Sequence, residues 1–123
     1  MIEFKPDPVK VKVAREHVAE ITADWPIDPD DVGLVTSELV SNAVRHAGTD
    51  TIQVDAFSDA DDHEGVYVVE VWDADPMRPV AGRPSAESVG GRGLWVVAQV
   101  ADEWGVRFDH EDGGKVVYAE WVR

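Results

Sequence analysis

The chain has 123 residues, 44% of them hydrophobic and 29% charged, and its 25 acidic residues outnumber 11 Lys and Arg to give a formal charge of −14. That length suits a single domain, 1–123, with a sizeable core, and no apolar run approaches the ~20 residues that a membrane-spanning helix needs. So acidic a chain argues against direct nucleic-acid binding, because nothing would offset phosphate repulsion, and the absence of cysteine excludes disulfides, thiolate metal sites and thiol nucleophiles. The N-terminus has no signal-peptide pattern, so the expected location is cytoplasmic, away from membranes. An anionic ligand would have to be met by local devices: a helix N-terminus, a backbone nest, a few arginines or a bound metal.

Residues 2–5 suit a short edge strand, ended by Pro6 and Pro8. Over 8–24, Val11, Ala14, Val18, Ile21 and Trp25 recur at spacings of three and four, which predicts a helix with one buried stripe. Lys10, Lys12 and Arg15 make a basic face near its start. A break follows at 26–28, where Asp28 suits an N-cap, Pro29 the first helical position, and Asp30 and Asp31 the first turn. The second helix spans 29–47 and is closed by Gly48. Val35, Thr36, Leu39, Val40, Ala43 and Ala47 fall on one broad side of it. At the border of that side Glu38 and Asn42, four apart, stand one above the other, with Ser41 and Arg45 close by. An acid and an amide stacked in this way can supply a proton acceptor and a neutral oxygen ligand for a hard cation such as Mg²⁺. The same pattern also suits a solvated helix edge.

Residues 51–57 alternate as a half-buried strand, and 58–65 suit an acidic hairpin loop that lacks the glycine and terminal glutamate of a calcium loop. The strongest strand pattern, 66–72, ends in Asp73. Nothing periodic follows across 74–90, and a loop that long within one domain is usually functional or mobile. Gly90, Gly91, Arg92 and Gly93 lead into a third helix, 94–101, whose largely apolar surface predicts deep packing. Residues 105–109 and 115–121 form a closing hairpin. The order β-α-α-β-β-loop-α-β-β predicts an α+β fold, a two-layer sandwich of a mostly antiparallel sheet with helices on one face.

Three separated features then ask for one explanation. The second helix carries Glu38 and Asn42; a buried strand ends in Asp73; a glycine cluster opens the third helix. Free N–H groups and the dipole make a glycine-rich helix start an anion site, and a strand-end carboxylate can accept from an exocyclic amine. Each feature has an ordinary reading as well, as turn chemistry or a tight start to a helix. Together they would hold an adenine, a polyphosphate and a metal.

The stretch ELVSNAVRHA, from Glu38 to Ala47, resembles the N box of the GHKL ATPases. VWDADP is similar to their G1 box, GGRGLWVV to their G2 box and GGKVVYAEW to their final strand. The resemblance covers nearly the whole chain, and is greatest to the short ATP-binding domains of bacterial anti-sigma factors that are serine-protein kinases, actinobacterial members especially. It implies the histidine kinase-like ATPase fold, with ATP and Mg²⁺ bound. Asn42 would coordinate Mg²⁺, Glu38 would act as general base, and Asp73 would bind the adenine amino group. Gly91, Arg92, Gly93 and Leu94 would wrap the phosphates through backbone N–H groups. Arg45, His46, Ala74 and Gly90 complete the implied nucleotide site, with 75–90 as the ATP lid. The resemblance further implies a protein that sequesters a sigma factor and phosphorylates a STAS-type anti-anti-sigma partner on serine or threonine. Relatives of this kind are often dimers, so the resemblance also admits a homodimer, with the N-terminal strand and helix at the subunit or the sigma interface.

Glu38 separates the chain from sensor histidine kinases, which commonly carry Asn there, and no phosphoacceptor helical hairpin is evident. Two positions depart from the family pattern. Asp75, followed by Pro76, stands where the G1 box usually offers glycine; aspartate tolerates left-handed backbone, but its charge is unhelpful near phosphates. Val116 stands where many relatives have a threonine that helps to bind adenine. Both departures point towards weakened nucleotide affinity, and so to an alternative expectation: a regulatory module that acts by protein contact without kinase activity.

Overall fold

The computed structural model describes residues 1–46, 48–61, 63–75, 89–108 and 113–123; of residues 46 and 89–92 it describes the backbone alone. The strongest strand pattern of the sequence becomes the centre of the sheet. β1 (Ile2–Phe4), β2 (Ile52–Ala60), β3 (Gly65–Asp73), β4 (Glu103–Phe108) and β5 (Lys115–Val122) form a five-stranded sheet in the order β1-β2-β3-β5-β4. Every pairing is antiparallel. β1 is an edge strand, as its sequence predicts. The helices among the described residues are α1 (Lys10–Ile21), α2 (Pro29–His46) and α3 (Val89–Val100). The element order is the expected one, and the α+β sandwich stands.

Side chains alternate across the sheet, and one face meets the helices. Ile52 and Val54 of β2, Val69 and Val71 of β3, and Val117, Ala119 and Trp121 of β5 are buried there. Against them pack Ala14 and Val18 of α1, Val35, Leu39, Val40 and Ala43 of α2, and Leu94 and Val97 of α3. The buried hydroxyl of Thr36 donates to the Val32 carbonyl at 2.8 Å, so this polar group within the apolar stripe is satisfied. Trp25, just after α1, meets Tyr67 and Trp121 edge-on, with ring centroids 5.3 and 6.4 Å apart.

Several boundaries differ from expectation, each for a local reason. α1 is shorter than 8–24, and Ile21 is 42% exposed instead of buried. Thr22 turns inwards in its place, and both its hydroxyl and its N–H donate to the Val18 carbonyl. β2 and β3 run further into the acidic loop and leave only 61–64 between them. That turn closes on Asp61, whose carboxylate accepts the N–H groups of His63 and Glu64 at 2.8 Å. Those bonds hold the Asp61 carboxyl below its usual range. α3 begins at Val89, well before 94, and its Trp95 is 38% exposed, so the helix is half-buried. Ala47 and the lid positions 76–88 lie outside the described residues; the last two expected lid positions, 89 and 90, belong to α3.

Candidate functional site

α2 is the axis on which the site is built. The Asp28 carboxylate accepts the Asp30 N–H at 2.9 Å as a true N-cap, and Asp30 and Asp31 complement the dipole in the first turn. Burial of Val35, Leu39 and Ala43 against the sheet fixes the rotation of this helix and brings Glu38 and Asn42 to the border of the buried side. Glu38 is half-buried and Asn42 is 9% exposed. Among the described residues the Asn42 amide makes no hydrogen bond, yet it is not sealed from solvent. Its oxygen is therefore available to a ligand.

The second corner is the start of α3. A Cβ built on Gly93 would lie 2.9 Å from Glu38 Oε2 and 3.6 Å from the Glu38 carbonyl oxygen. The Glu38 carboxylate thus rests against the α3 backbone, an approach that only glycine permits. Glycines inside a helix cost roughly 1 kcal/mol each relative to alanine; here the missing side chain is what joins two separated motifs. Gly90, Gly91 and Arg92 form part of the first turn, where helical N–H groups have no intrahelical partner. The glycine cluster lies inside the helix instead of leading into it. Gly93 and Leu94 come after that turn, and the Leu94 side chain is fully buried in the core. The free N–H groups expected of the collar therefore belong to its first members.

The third corner is the tip of β3. Asp73 is 2% exposed and faces Lys115 across the β3–β5 pair, with Lys115 Nζ 3.0 Å from Asp73 Oδ1. Lys115 also donates to the Asp75 carbonyl at 2.8 Å, and the Asp75 N–H donates to Asp73 Oδ1 at 2.8 Å. Burial pushes the Asp73 carboxyl up from its ordinary range, against the opposing pull of Lys115 and of the Asp75 N–H. The neighbouring carboxylate, Asp75 Oδ2, accepts the Gly48 N–H at 3.2 Å, and the exposed Ala74 donates its N–H to Thr49 Oγ1 at 3.0 Å. These bonds tie the end of α2 to the end of β3.

Glu38 thus lies beside α3, and the chain just after α2 is bonded to the β3 tip that carries Asp73. From Glu38 to His46 the α2 backbone spans about 12 Å at 1.5 Å per residue. Arg45 is exposed on α2; His46 closes the helix, and its side chain lies outside the described residues, as does that of Arg92.

Three expectations are corrected. Among the described residues no residue other than glycine has a left-handed backbone, so Asp75 substitutes for glycine by bonding to its neighbours and not by an unusual conformation. Gly48 does not close α2 in that conformation either; it donates to Asp75. Val116 pairs with Trp72, on the opposite face of the sheet from Asp73, so it is not the residue of β5 that faces the expected adenine site. Lys115 is. The clue was present in the sequence: position 115 shares the period-2 face of Val117, Ala119 and Trp121. Thr49, which fixes the Ala74 N–H, carried no comparable signal.

A family model described as a histidine kinase-like ATPase domain matches residues 4–121. The chain belongs to that family. Among solved structures it is similar to the histidine kinase domain of the blue-light activated histidine kinase from Erythrobacter litoralis EL346, at 17% sequence identity and a TM-score of 0.48. That likeness covers 93% of this chain and 63% of the other, so the chain spans less than two thirds of that structure's length. No curated protein matches the chain. Membership of a histidine kinase-like ATPase family implies ATP binding, and no described helix is long and apolar enough to cross a membrane.

Proposed function

We propose that this histidine kinase-like ATPase domain is an ATP-dependent serine/threonine protein kinase that also sequesters a sigma factor, with a STAS-type anti-anti-sigma protein as its acceptor. The observation that carries the reading is the Glu38 carboxylate held against Gly93 at the start of α3, with Asn42 one helical turn along. An acceptor hydroxyl brought to Glu38 would meet a proton acceptor beside free helix N–H groups suited to phosphate. Glu38 takes the hydroxyl proton as the acceptor oxygen bonds to the γ-phosphorus, and the bond from that phosphorus to the departing ADP oxygen breaks. Among the described residues no group of three or more His, Asp or Glu is suited to a metal. The Asn42 amide, whose oxygen has no partner among the described residues, would hold Mg²⁺ as a neutral oxygen ligand. Bound there, Mg²⁺ supplies charge neutralisation around the phosphates.

The test is a Mg-ATP titration followed by phosphotransfer to co-encoded STAS proteins. Glu38→Ala is expected to bind ATP like the wild type and to transfer phosphate roughly 10²–10⁴-fold more slowly. Asn42→Ala is expected to lose Mg-dependent binding. Wild-type turnover by Glu38→Ala would remove the general base from the scheme. A second reading, regulation by protein contact alone, is favoured by the Lys115 ammonium already lying on Asp73; it predicts complex formation with the partner and no phosphotransfer.

A further inference from the structure

Among the described residues Lys115–Asp73 is the most buried ion pair, with side chains 6% and 2% exposed. A buried pair is poor support for stability, because desolvation offsets the attraction. Its open valences are more informative. The Lys115 ammonium has three N–H donors: one goes to Asp73 Oδ1, one to the Asp75 carbonyl, and the third has no partner among the described residues. Asp73 Oδ1 accepts from Lys115 and from the Asp75 N–H, while Oδ2 has no partner among the described residues. One open acceptor therefore stands beside one open donor. Both are fixed at the start of β5 and the end of β3 by direct cross-strand pairing.

Such a couple complements an edge on which a donor lies beside an acceptor. Adenine presents its 6-amino group beside N1 in that order. Guanine presents O6 beside an N1–H, which would set acceptor against acceptor and donor against donor. We propose that Lys115 is a specificity-determining residue that donates to N1 of the adenine ring while Asp73 accepts from the 6-amino group, so that the two read the base as a unit. The inference rests on the ATP-binding reading of the same site. It gives Lys115 a direct part in discrimination, since a site with fixed polar groups rejects a ligand that leaves them unpaired.

The experiment compares binding of Mg-ATP, Mg-1-deaza-ATP (N1 replaced by C–H) and Mg-GTP to the wild type and to Lys115→Met by titration calorimetry. The wild type is expected to bind 1-deaza-ATP roughly ten- to hundredfold more weakly than ATP, the loss of one hydrogen bond to a charged donor, and GTP more weakly still. Lys115→Met is expected to bind ATP and 1-deaza-ATP alike. Should that variant not fold, the wild-type comparison decides alone. Equal wild-type affinity for ATP and 1-deaza-ATP overturns the proposal while leaving ATP binding intact. Tighter ATP binding by Lys115→Met also overturns it, since the lysine would then be a plug. Failure of the wild type to bind any of the three nucleotides overturns the ATP-binding reading, and this inference with it.

Discussion

Single side chains in this domain separate chemistry from stability in ways that can be measured. At Gly93 an added methyl would meet the far end of the flexible Glu38 side chain, which can swing aside at little cost. Alanine is also the better helix former by about 1 kcal/mol. Gly93→Ala is therefore expected to melt at or above the wild-type temperature yet lose phosphotransfer, because the displaced carboxylate no longer meets the acceptor hydroxyl. Unfolding and turnover measured on one preparation check this, and a variant with normal turnover would detach Glu38 from the start of α3. Glu120 offers a purely thermodynamic test. It lies directly opposite Glu103, and burial first, then the Glu103 charge, raise its carboxyl above the unperturbed 4.5. A carboxyl raised in the fold binds its proton more tightly there than in the unfolded chain, so stability falls as pH rises through the raised value and the full cost is present at pH 7. Glu120→Gln is expected to gain about 0.2–1 kcal/mol at pH 7, the range for opposed cross-strand charges. The gain should vanish once both states are protonated, below 4.5. Thermal unfolding at pH 7 and pH 3.5 checks both the sign and the window.

Elements were legible in the sequence wherever a hydrophobic period ran unbroken. β3 and α2 have long patterns and clear ends, and both appear nearly where their residues predict. α3 does not, because glycines that propensity places before a helix are held inside one by packing against α2. Its true start cannot be seen without knowing what lies beside Gly93. The β5 start is a similar case. Gly113 and Gly114 have φ of 75° and 77°, which the sequence shows only as a turn. They bring β5 alongside the β3 tip, and a side chain at Gly114 would run into the Asp73 carbonyl, whereas one at Gly113 would meet nothing among the described residues. The two positions therefore predict different costs. Gly113→Ala is expected to lose about 1–2 kcal/mol, the price of left-handed backbone alone. Gly114→Ala adds a backbone collision, so it is expected to lose clearly more and to disturb the Lys115–Asp73 pair as well. Denaturant unfolding of the two variants side by side measures the difference; equal losses would mean that β5 can shift without consequence.

At the scale of the whole molecule, the candidate site was legible as parts and not as an arrangement. Glu38, Asn42 and Asp73 were each marked by residue type and position, but the partner of Asp73 emerged only from strand register, a long-range property that local pattern does not encode. Charge is the whole-molecule property that the sequence states in full. A formal charge of −14 on 123 residues implies net self-repulsion in the compact state, opposed by ion pairs such as Arg123–Asp102, Arg107–Glu70 and Lys12–Glu16. Added salt screens both terms. Exposed pairs contribute about 0–1 kcal/mol each, while the excess of negative charge acts over the entire surface, so repulsion is the larger loss. The buried Lys115–Asp73 pair is screened far less than either. Raising NaCl from about 20 mM to 500 mM, which shortens the screening length several-fold, is therefore expected to raise the melting temperature. Scans across that range check the sign, and a fall would mean that the surface pairs outweigh the repulsion. The same screening should slow association with a basic partner, so stability and encounter rate are expected to move in opposite directions with salt.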